Sequence, residues 1–293
     1  MKLTKNTQLL LSKNIAGIIL KPDAVHLKDI YNDIKNIFLK HNISVLLEES
    51  SAKILDEKEY LDFDNLCKQS DFLVTIGGDG TLISVSRRSL KYNKAILGIN
   101  LGTLGFLTSI LPDKLDDFLN DFEQNNYVID NRMMIETNIN INHSVAFNDI
   151  VIRGKSIAHM IHIDAFADNK KFNTYYGDGL IISTPTGSTA YNISSGGPVV
   201  YPLTEAFIVT PISAHSLTQR PLVLPVDFEL ELSTPNKEGA VIVVDGQDIY
   251  EMKQNEIITI KIASSKAKLI RTKDRDYFEV LNQKLNWGNR VDQ

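Results

Sequence analysis

The chain has 293 residues, of which 43% are hydrophobic and 23% charged, and this is enough for two ordinary globular domains. Its formal net charge of −5 weighs against a nucleic-acid-binding protein, because such proteins present basic surfaces to phosphate. A single cysteine, Cys67, excludes an internal disulfide framework. No apolar run reaches the length of a signal-peptide core or a membrane helix, so we expect a cytoplasmic protein.

The first half of the chain alternates short apolar strands with stretches of helical periodicity. The predicted strands are 15–20, 43–47, 72–76 and 95–99. Asp23 is placed to cap a helix whose apolar residues recur at Leu27, Ile30, Ile34, Ile37 and Phe38, and a later helix is predicted over 115–122. This alternation indicates a parallel sheet covered on both faces, in an α/β domain over residues 1–126.

From about Tyr127 the apolar residues come in short, often alternating runs with turn signals between them, which predicts a β-rich domain over 127–274. The runs are 145–152, 159–167 before an Asp168–Asn169 turn, 228–232, 240–244 and 257–262. The last stretch, 278–287, is an amphipathic helix, and we expect the segment 275–293 to pack back on the first domain.

Glycines mark the places where ligand chemistry is expected. Eleven of the 16 glycines fall in the windows 77–105 and 177–197, and clustered glycine suggests tight turns or close approach of the backbone to a ligand. The first window opens with Gly77-Gly78-Asp79-Gly80-Thr81, directly after a predicted strand and before a helix. Backbone N–H groups there can bind phosphate at a helix N-terminus. Arg87 and Arg88, further along that helix, could reach the same phosphate, and the alternative, which we favour for at least one of them, is a solvated helix face.

Asp79 is an unusual residue for a site that binds only anions. A carboxylate among phosphates is explained if it takes a proton from an attacking hydroxyl or helps to hold a metal ion. The alternative is that Asp79 merely caps the helix. The same window continues as GINLGTLGFL at 98–107, in which Phe106 could stack on a ligand base or belong to the core.

The second window, GDGLIISTPTGSTAYNISSGGP at 177–198, combines glycines with many hydroxyls. Small polar side chains beside exposed backbone suit recognition of a nucleobase, ribose or phosphate, and a cluster of Ser/Thr turns is the alternative. Asn148 and Asp149 lie inside the apolar run 145–152, where unsatisfied polar groups are costly, so we favour a functional role over a β-turn. His159 and His162 have no cysteine or acidic partner at metal-ligand spacing, so no structural metal is predicted.

Together these segments resemble the NAD kinase family in its bacterial, ATP-dependent form. The matching stretches, in the family's order, are GGDGT at 77–81, GINLGTLGFL at 98–107, FND at 147–149, the long block at 177–198, HSLTQRPLVLP at 215–225 and VDGQ at 244–247. The long block is highly specific, whereas GGDGT alone also resembles lipid kinases and phosphofructokinases.

The resemblance implies an N-terminal α/β domain and a C-terminal β-rich domain with the active site in the crevice between them. It implies ATP and NAD as substrates, Mg²⁺ or another divalent cation with ATP, and a homodimer or homotetramer. The net charge and the lack of a basic amphipathic stretch predict no nucleic-acid or membrane partner. Inorganic polyphosphate as donor stays open, because some relatives use it. NADH as acceptor stays open, because Tyr176 stands near where many bacterial members have a basic residue.

The resemblance also assigns roles to single residues. Asp79 is the base toward the 2′-hydroxyl of the adenosine ribose. The phosphate-binding set is Gly77, Gly78, Gly80, Thr81 and Arg87. The NAD-binding set is Gly80, Phe106, Asn148, Asp149, Asp178, Thr186, Thr189, Ala190, Tyr191, Ser194, Asp245 and Gly246.

Two rival hypotheses are a lipid kinase that shares GGDGT and a dinucleotide-binding module without turnover. The first predicts no long second-window block, and the second has no need of the Asp79 carboxylate.

Overall fold

The computed structural model describes residues 12–22, 27–102, 105–139, 141–156 and 159–286. The chain divides into two compact units. The first comprises the residues up to Asn131 together with those from Lys268 onward, and the second is Arg132–Ala267. The sequence placed the return to the first domain at residue 275, several residues later than the structure does, because a strand before this point joins the first sheet.

The first unit alternates strands and helices, as the sequence predicted. Its elements are β1 Ile15–Leu20, α1 Leu27–Lys40, β2 Ser44–Leu47, α2 Glu49–Leu55, α3 Phe63–Gln69, β3 Phe72–Gly77, α4 Asp79–Ser89, β4 Ala95–Asn100, α5 Leu115–Glu123 and β5 Tyr127–Arg132. The four predicted strands and the predicted helix at 115–122 are confirmed within one residue at each end. The predicted cap, Asp23, lies outside the described residues.

The second unit is built almost entirely of strands. Its elements are β6 Ile135–Ile139, β7 Asn142–Ala146, β8 Asp149–Arg153, β9 Ile161–Ala167, β10 Lys170–Gly177, β11 Gly179–Ser183, α6 Tyr191–Ser194, β12 Ala206–Ile212, β13 Leu222–Pro225, β14 Leu230–Ser233, β15 Ala240–Val244, β16 Asp248–Met252 and β17 Ile258–Ile262. The chain then returns to the first unit through β18 Ala267–Thr272 and α7 Tyr277–Leu285. Trp287, at the end of the predicted C-terminal helix, lies outside the described residues.

The sheet of the first unit has the strand order β2-β1-β3-β4-β18-β5. The pairings from β2 to β18 are all parallel, and in the last of them Lys268 lies opposite Ala95. The chain moves from β1 outward to β2 and then back past β1 to β3, so the direction of winding reverses between β1 and β3. Ligands of open α/β sheets bind at the carboxyl ends of strands at such a switch point. The segment that follows β3 therefore begins at the expected ligand-binding edge.

The core of the first unit lies between the sheet and its helices. Phe72 of β3 packs against Phe122 of α5, with ring centroids 5.3 Å apart, and Phe122 also packs on Tyr127 at 4.7 Å. On the other face α3 approaches the sheet closely, because a Cβ at Gly17 would meet Leu66 at 3.0 Å. The helix α4 does so too, because a Cβ at Gly98 would meet Leu82 at 2.7 Å. Truncating a fully buried ring such as Phe122 to alanine would cost about 3–5 kcal/mol.

Two six-stranded sheets form the second unit, with the orders β10-β9-β14-β17-β6-β7 and β13-β12-β11-β8-β15-β16. All neighbouring strands in both sheets pair antiparallel. Buried residues of both sheets, such as Ile135 and Ile163 of one and Ile152 and Leu180 of the other, share one apolar cluster. The run 145–152 spans two strands, and the chain passes from one sheet to the other at Phe147 and Asn148.

Candidate active site

The GGDGT segment joins the carboxyl end of β3 to the first turn of α4. Gly77 ends the strand, Gly78 is the N-cap of the helix with extended backbone, and Asp79 is the first helical residue. A Cβ on Gly77 would lie 2.6 Å from the Thr81 hydroxyl, so glycine is required there for packing. A Cβ on Gly78 or on Gly80 would meet nothing within 4 Å. The first turn of α4 therefore faces open space, and its amides suit an anion.

Asp79 does not cap its own helix. No side chain forms a capping hydrogen bond at the start of α4. Instead the carboxylate accepts four hydrogen bonds from residues 106–108. Oδ2 accepts the N–H of Phe106 at 2.8 Å, and Oδ1 accepts the N–H of Leu107 at 3.2 Å and the N–H and hydroxyl of Thr108, both at 2.9 Å. Charge-assisted bonds of this kind hold a carboxylate firmly in place.

The segment 105–108 is as closely fitted as the carboxylate it binds. A Cβ on Gly105 would lie 2.1 Å from Asp79 Oδ1, so only glycine leaves room for the carboxylate. Asn100, at the end of β4, donates its amide to the Thr108 hydroxyl at 2.7 Å. From the C-terminal return, Arg275 donates to the carbonyl oxygens of Gly105, Phe106 and Thr108 at 2.7, 3.0 and 2.8 Å.

Sequence reasoning did not identify Asn100, Thr108 or Arg275. Asn100 lies inside the glycine-rich stretch 98–107, and Thr108 directly follows it, so their positions were available as a signal. Arg275 carried no signal at all, because it lies about 170 positions from the carbonyl groups it binds and in no recognised motif.

The remaining predicted residues of the first unit fall into two groups. Thr81 is buried against Gly77, and Phe106 is half-buried with its backbone bonded to both Asp79 and Arg275. Arg87, in contrast, lies in the last turn of α4, eight residues after Asp79 and therefore about 12 Å along the helix axis. Because of this distance, the structure does not place Arg87 at the N-terminal end of the helix, where the sequence predicts phosphate binding.

In the second unit, Asp245 holds the corner formed by Phe147, Asn148 and Asp149. Asp245 and Gly246, with φ of 51° and 66°, are the first two residues of the three-residue turn 245–247 between β15 and β16. The Asp245 carboxylate accepts the N–H groups of Phe147 at 2.7 Å, Asn148 at 2.6 Å and Asp149 at 3.0 Å. Three consecutive amides thus bind one carboxylate, the same arrangement that Asp79 has in the first unit.

Asp149 is a buried acid with only 5% of its surface exposed. Burial, together with the negative charge of Asp245 nearby, raises the pKa of Asp149 to about 7. Among the described residues no hydrogen bond to its carboxyl group is found. Asn148 is half-buried, and its side-chain amide likewise has no hydrogen bond to the described residues. Both side chains keep their capacity to donate to or accept from a ligand.

Several hydroxyls of the second window are used inside the protein. Thr184 donates to the carbonyl of Phe147 at 2.7 Å and accepts the N–H of Gly187 at 3.0 Å. Ser188 donates to the carbonyl of Val200 at 3.2 Å and accepts its N–H at 3.0 Å. These fully buried hydroxyls stabilise the loop through internal hydrogen bonds and are not available to bind a ligand. Ligand recognition therefore explains only part of the high hydroxyl content of this window.

The predicted NAD-binding residues of this window lie along one turn and a short helix. Thr186 is buried in the 3₁₀ turn Thr186–Thr189, Thr189 and Ala190 are half-buried, and Tyr191 and Ser194 are exposed. Asp178, between β10 and β11, and Tyr191 both line a cavity of about 200 Å³. Its other lining residues are Arg153, Gly154, Ser156, His159, Ile212 and Ser213. The structure thus brings Asp178 and Tyr191 to one concave surface.

Within the described part of the chain, no group of three or more His, Cys, Asp or Glu side chains could hold a metal ion. Nor does any described helix have the length and apolar character needed to cross a membrane. His162 lies in β9 with its ring stacked on Tyr176, at 4.3 Å between centroids, whereas His159 precedes the strand.

Two family models match the two halves of the chain. Residues 16–127 match the ATP-NAD kinase N-terminal domain, and residues 147–272 match the ATP-NAD kinase C-terminal domain. The NAD kinase of Sulfurimonas denitrificans is 46% identical over 276 residues, which are 93% of this chain and 96% of that protein. The NAD kinase of Wolinella succinogenes is 46% identical over 286 residues, covering 96% and 98%.

Solved structures show a similar fold. A crystal structure of an NAD kinase from Archaeoglobus fulgidus in complex with ATP matches with a TM-score of 0.76 and 26% identity, covering 93% of this chain and 98% of that one. Yeast NADH kinase complexed with NADH matches with a TM-score of 0.85 at 22% identity, covering 96% and 90%. At that identity the second likeness speaks for the fold alone.

Proposed function

The chain belongs to the NAD kinase family, and from this premise we propose that Asp79 takes the proton of the acceptor hydroxyl during phosphoryl transfer. The reaction is the ATP-dependent phosphorylation of NAD at the 2′-hydroxyl of its adenosine ribose, which gives NADP. The observation that carries the role of Asp79 is its carboxylate at the open first turn of α4, fixed by four donors.

The two carboxylate oxygens of Asp79 are not equivalent, and this supports Oδ2 as the atom that takes the proton. Oδ1 accepts three hydrogen bonds, whereas Oδ2 accepts one, from Phe106. A carboxylate oxygen has two lone-pair directions, so Oδ2 retains one for the substrate hydroxyl. As the hydroxyl proton passes to Oδ2, the hydroxyl oxygen bonds to the γ-phosphorus of ATP and ADP leaves.

The first turn of α4 is the proposed phosphate-binding element. Gly78 and Gly80 leave this turn uncovered, and its amides and dipole favour the ATP phosphates. Gly77 and Thr81 contribute to this site by shaping the turn, because Thr81 packs directly against Gly77. Arg87 is too far along the helix to contribute there.

A divalent cation is proposed to enter with ATP. Mg²⁺ in phosphoryl-transfer sites typically takes most of its ligands from phosphates and water, with one or two protein carboxylates. The remaining lone pair of Asp79 Oδ2 faces the substrate hydroxyl in this proposal, so we propose that the ion takes its ligands mainly from the ATP phosphates and water. When bound, such an ion supplies charge neutralisation for the transferred phosphoryl group.

For NAD we propose the residues of the second unit. Asn148 and Asp149 offer side-chain groups that have no hydrogen-bond partner among the described residues, and such groups suit the adenine edge and a ribose hydroxyl. We propose that the turn containing Asp245 and Gly246 positions this pair, because the Asp245 carboxylate accepts hydrogen bonds from the backbone amides of residues 147–149. The cavity beside Asp178 and Tyr191 suits another part of the dinucleotide. Thr186, Thr189, Ala190 and Ser194 complete the proposed set.

We propose a cytoplasmic homodimer or homotetramer, with NAD as the main acceptor and ATP as the donor. A coupled assay for NADP with NAD, ATP and Mg²⁺, run in parallel with NADH and polyphosphate, tests acceptor and donor. Size-exclusion chromatography with light scattering tests the oligomeric state.

The role of Asp79 is tested by comparing two variants that alter the same carboxylate. Asp79→Asn removes the base, and we expect kcat to fall by about 10³-fold, within the range of general base catalysis. Thr108→Val removes one donor to Oδ1 but leaves the base, and we expect a loss of no more than about tenfold.

Three outcomes are informative. A wild-type rate for Asp79→Asn would remove Asp79 from the chemistry. Folded wild-type protein that binds NAD without turnover would favour the dinucleotide-binding module. Phosphorylation of a lipid in preference to NAD would favour the lipid kinase.

A further inference from the structure

One residue outside every recognised motif binds the segment that holds Asp79. Arg275 donates through Nη2 to the carbonyls of Gly105 and Phe106 and through Nη1 to the carbonyl of Thr108. The N–H groups of residues 106–108 meanwhile bind the Asp79 carboxylate. The peptide groups of this segment are therefore held between a guanidinium on their carbonyl side and a carboxylate on their amide side.

Arg275 is itself firmly anchored. Arg271, in β18, donates through Nη1 to the carbonyl of Arg275 at 3.4 Å and to that of Thr272 at 3.0 Å. The Arg271 Nε lies 2.9 Å from Oδ2 of Asp130, whose side chain is 4% exposed. The backbone of Arg275 is thus tied to the parallel sheet through Arg271 of β18, which pairs with β4.

The chemistry of this contact favours arginine in particular. A guanidinium is planar and has five donors in a rigid arrangement, so it can bind three carbonyls at once, whereas a lysine ammonium acts as a point charge. A cation on a peptide carbonyl also polarises that peptide group, and linked hydrogen bonds strengthen one another. Arg275 can therefore set both the position of the amides and their strength as donors to Asp79.

We infer that Arg275 is a positioning residue for phosphoryl transfer, acting through residues 105–108 to hold the Asp79 carboxylate. The inference rests on the proposed role of Asp79 as the base. It makes the C-terminal return from β18 to Arg275 part of the catalytic machinery and not only a stabilising addition to the first unit.

The test is a double-mutant cycle between Arg275→Met and Asp79→Asn, with kcat taken from single-turnover measurements at saturating NAD and ATP. Arg275→Lys keeps the charge without the planar fork. Lys273→Met is the matched control, because it removes a positive charge from an exposed side chain two residues away.

If Arg275 acts through Asp79, Arg275→Met lowers kcat by about 10²-fold, the loss expected for a misplacement of about 1 Å. The KM for NAD then stays within about threefold, Arg275→Lys is intermediate, and Lys273→Met matches the wild type. In the Asp79→Asn background Arg275→Met has almost no further effect. Wild-type kcat in Arg275→Met, or an equal loss in both backgrounds, overturns the inference.

A second measurement does not depend on turnover. Amide hydrogen exchange at Leu107 and Thr108 is expected to accelerate at least tenfold in Arg275→Met and to stay unchanged in Lys273→Met. Unchanged protection in Arg275→Met overturns the inference even if turnover falls. Absence of turnover in the wild type would instead overturn the proposed function, and the exchange data would still decide whether Arg275 holds the segment.

Discussion

Replacing Gly105 with alanine is the most direct test of how Asp79 is held. A Cβ at this position would lie 2.1 Å from Asp79 Oδ1, 2.6 Å from its Cγ and 2.7 Å from its Oδ2. Contacts of a real Cβ are essentially never shorter than 3.0 Å, so the carboxylate or the segment must move by about 0.9 Å. The φ angle of Gly105 lies outside the left-handed region, so the whole effect comes from this contact.

The size of the effect follows from the hydrogen bonds that such a movement breaks. Leu107 N lies 3.2 Å and Thr108 N 2.9 Å from Oδ1, and a shift of this size takes both beyond hydrogen-bond range. Overpacking costs about 1–3 kcal/mol, and each lost bond to a charged group up to about 3 kcal/mol, partly recovered because Asp79 is only half-buried. We therefore expect a net destabilisation of about 2–4 kcal/mol.

Two assays measure this prediction. Scanning calorimetry should show a transition lowered by several degrees, since about 2–4 °C is expected per kcal/mol at this size. The coupled assay should show kcat lowered by about 10²-fold, because the base is displaced by about 1 Å. Gly102→Ala is the control, since its Cβ would meet Asn100 Oδ1 at an ordinary 3.9 Å.

The control should stay within about threefold of wild-type kcat, as expected for an ordinary contact. Wild-type stability in Gly105→Ala would refute the close contact. A lower Tm with unchanged kcat would refute the link between that contact and catalysis.

Two further predictions concern the second unit. Asp149→Asn should stabilise the ligand-free protein more at pH 8 than at pH 5. The pKa of Asp149 is raised to about 7 in the folded protein, so the free-energy cost of ionising this carboxyl grows as the pH rises toward 7 and is fully present at pH 8. The uncharged amide of asparagine avoids that cost. Urea unfolding at both pH values checks this, and an equal gain at both would contradict it. Gly187→Ala should lower Tm and weaken NAD binding at least tenfold, because its Cβ would lie 2.1 Å from the backbone oxygen of Asn148. Calorimetric titration with NAD measures the second effect, and wild-type affinity would show that the Asn148 corner is not part of the site.

Local sequence pattern was enough to predict most of the first unit. The apolar runs that became β1, β3 and β4 are buried along their whole length or nearly so, and such strands of a parallel sheet are recognisable without tertiary information. Leu27, Ile34 and Phe38 of α1 are buried as their spacing predicted. The position of Asp79 at the carboxyl end of a strand likewise followed from chain order alone.

The sequence did not predict where β18 belongs. Its sequence, AKLIRT, mixes apolar and polar residues without strict alternation and suits either sheet type, so the sequence groups it with the β-rich domain. Only the pairing with β4 places it in the parallel sheet, at a sequence separation of about 170 residues. A two-residue period reports which face of a strand is buried but not which strand is its neighbour.

The candidate site divides in the same way. The residue types and their order in GGDGT, in the Asn148–Asp149 pair and in the long second window indicated the family and its reaction from the sequence by itself. Only the tertiary structure shows what Asp79 and Asp245 bind and why Gly105 and Gly187 must be glycine. It also brings Arg275 to the segment that binds Asp79. The physical reason is that a motif records local spacing along the chain, whereas a hydrogen bond between residues far apart in sequence depends on three-dimensional distances that folding alone creates.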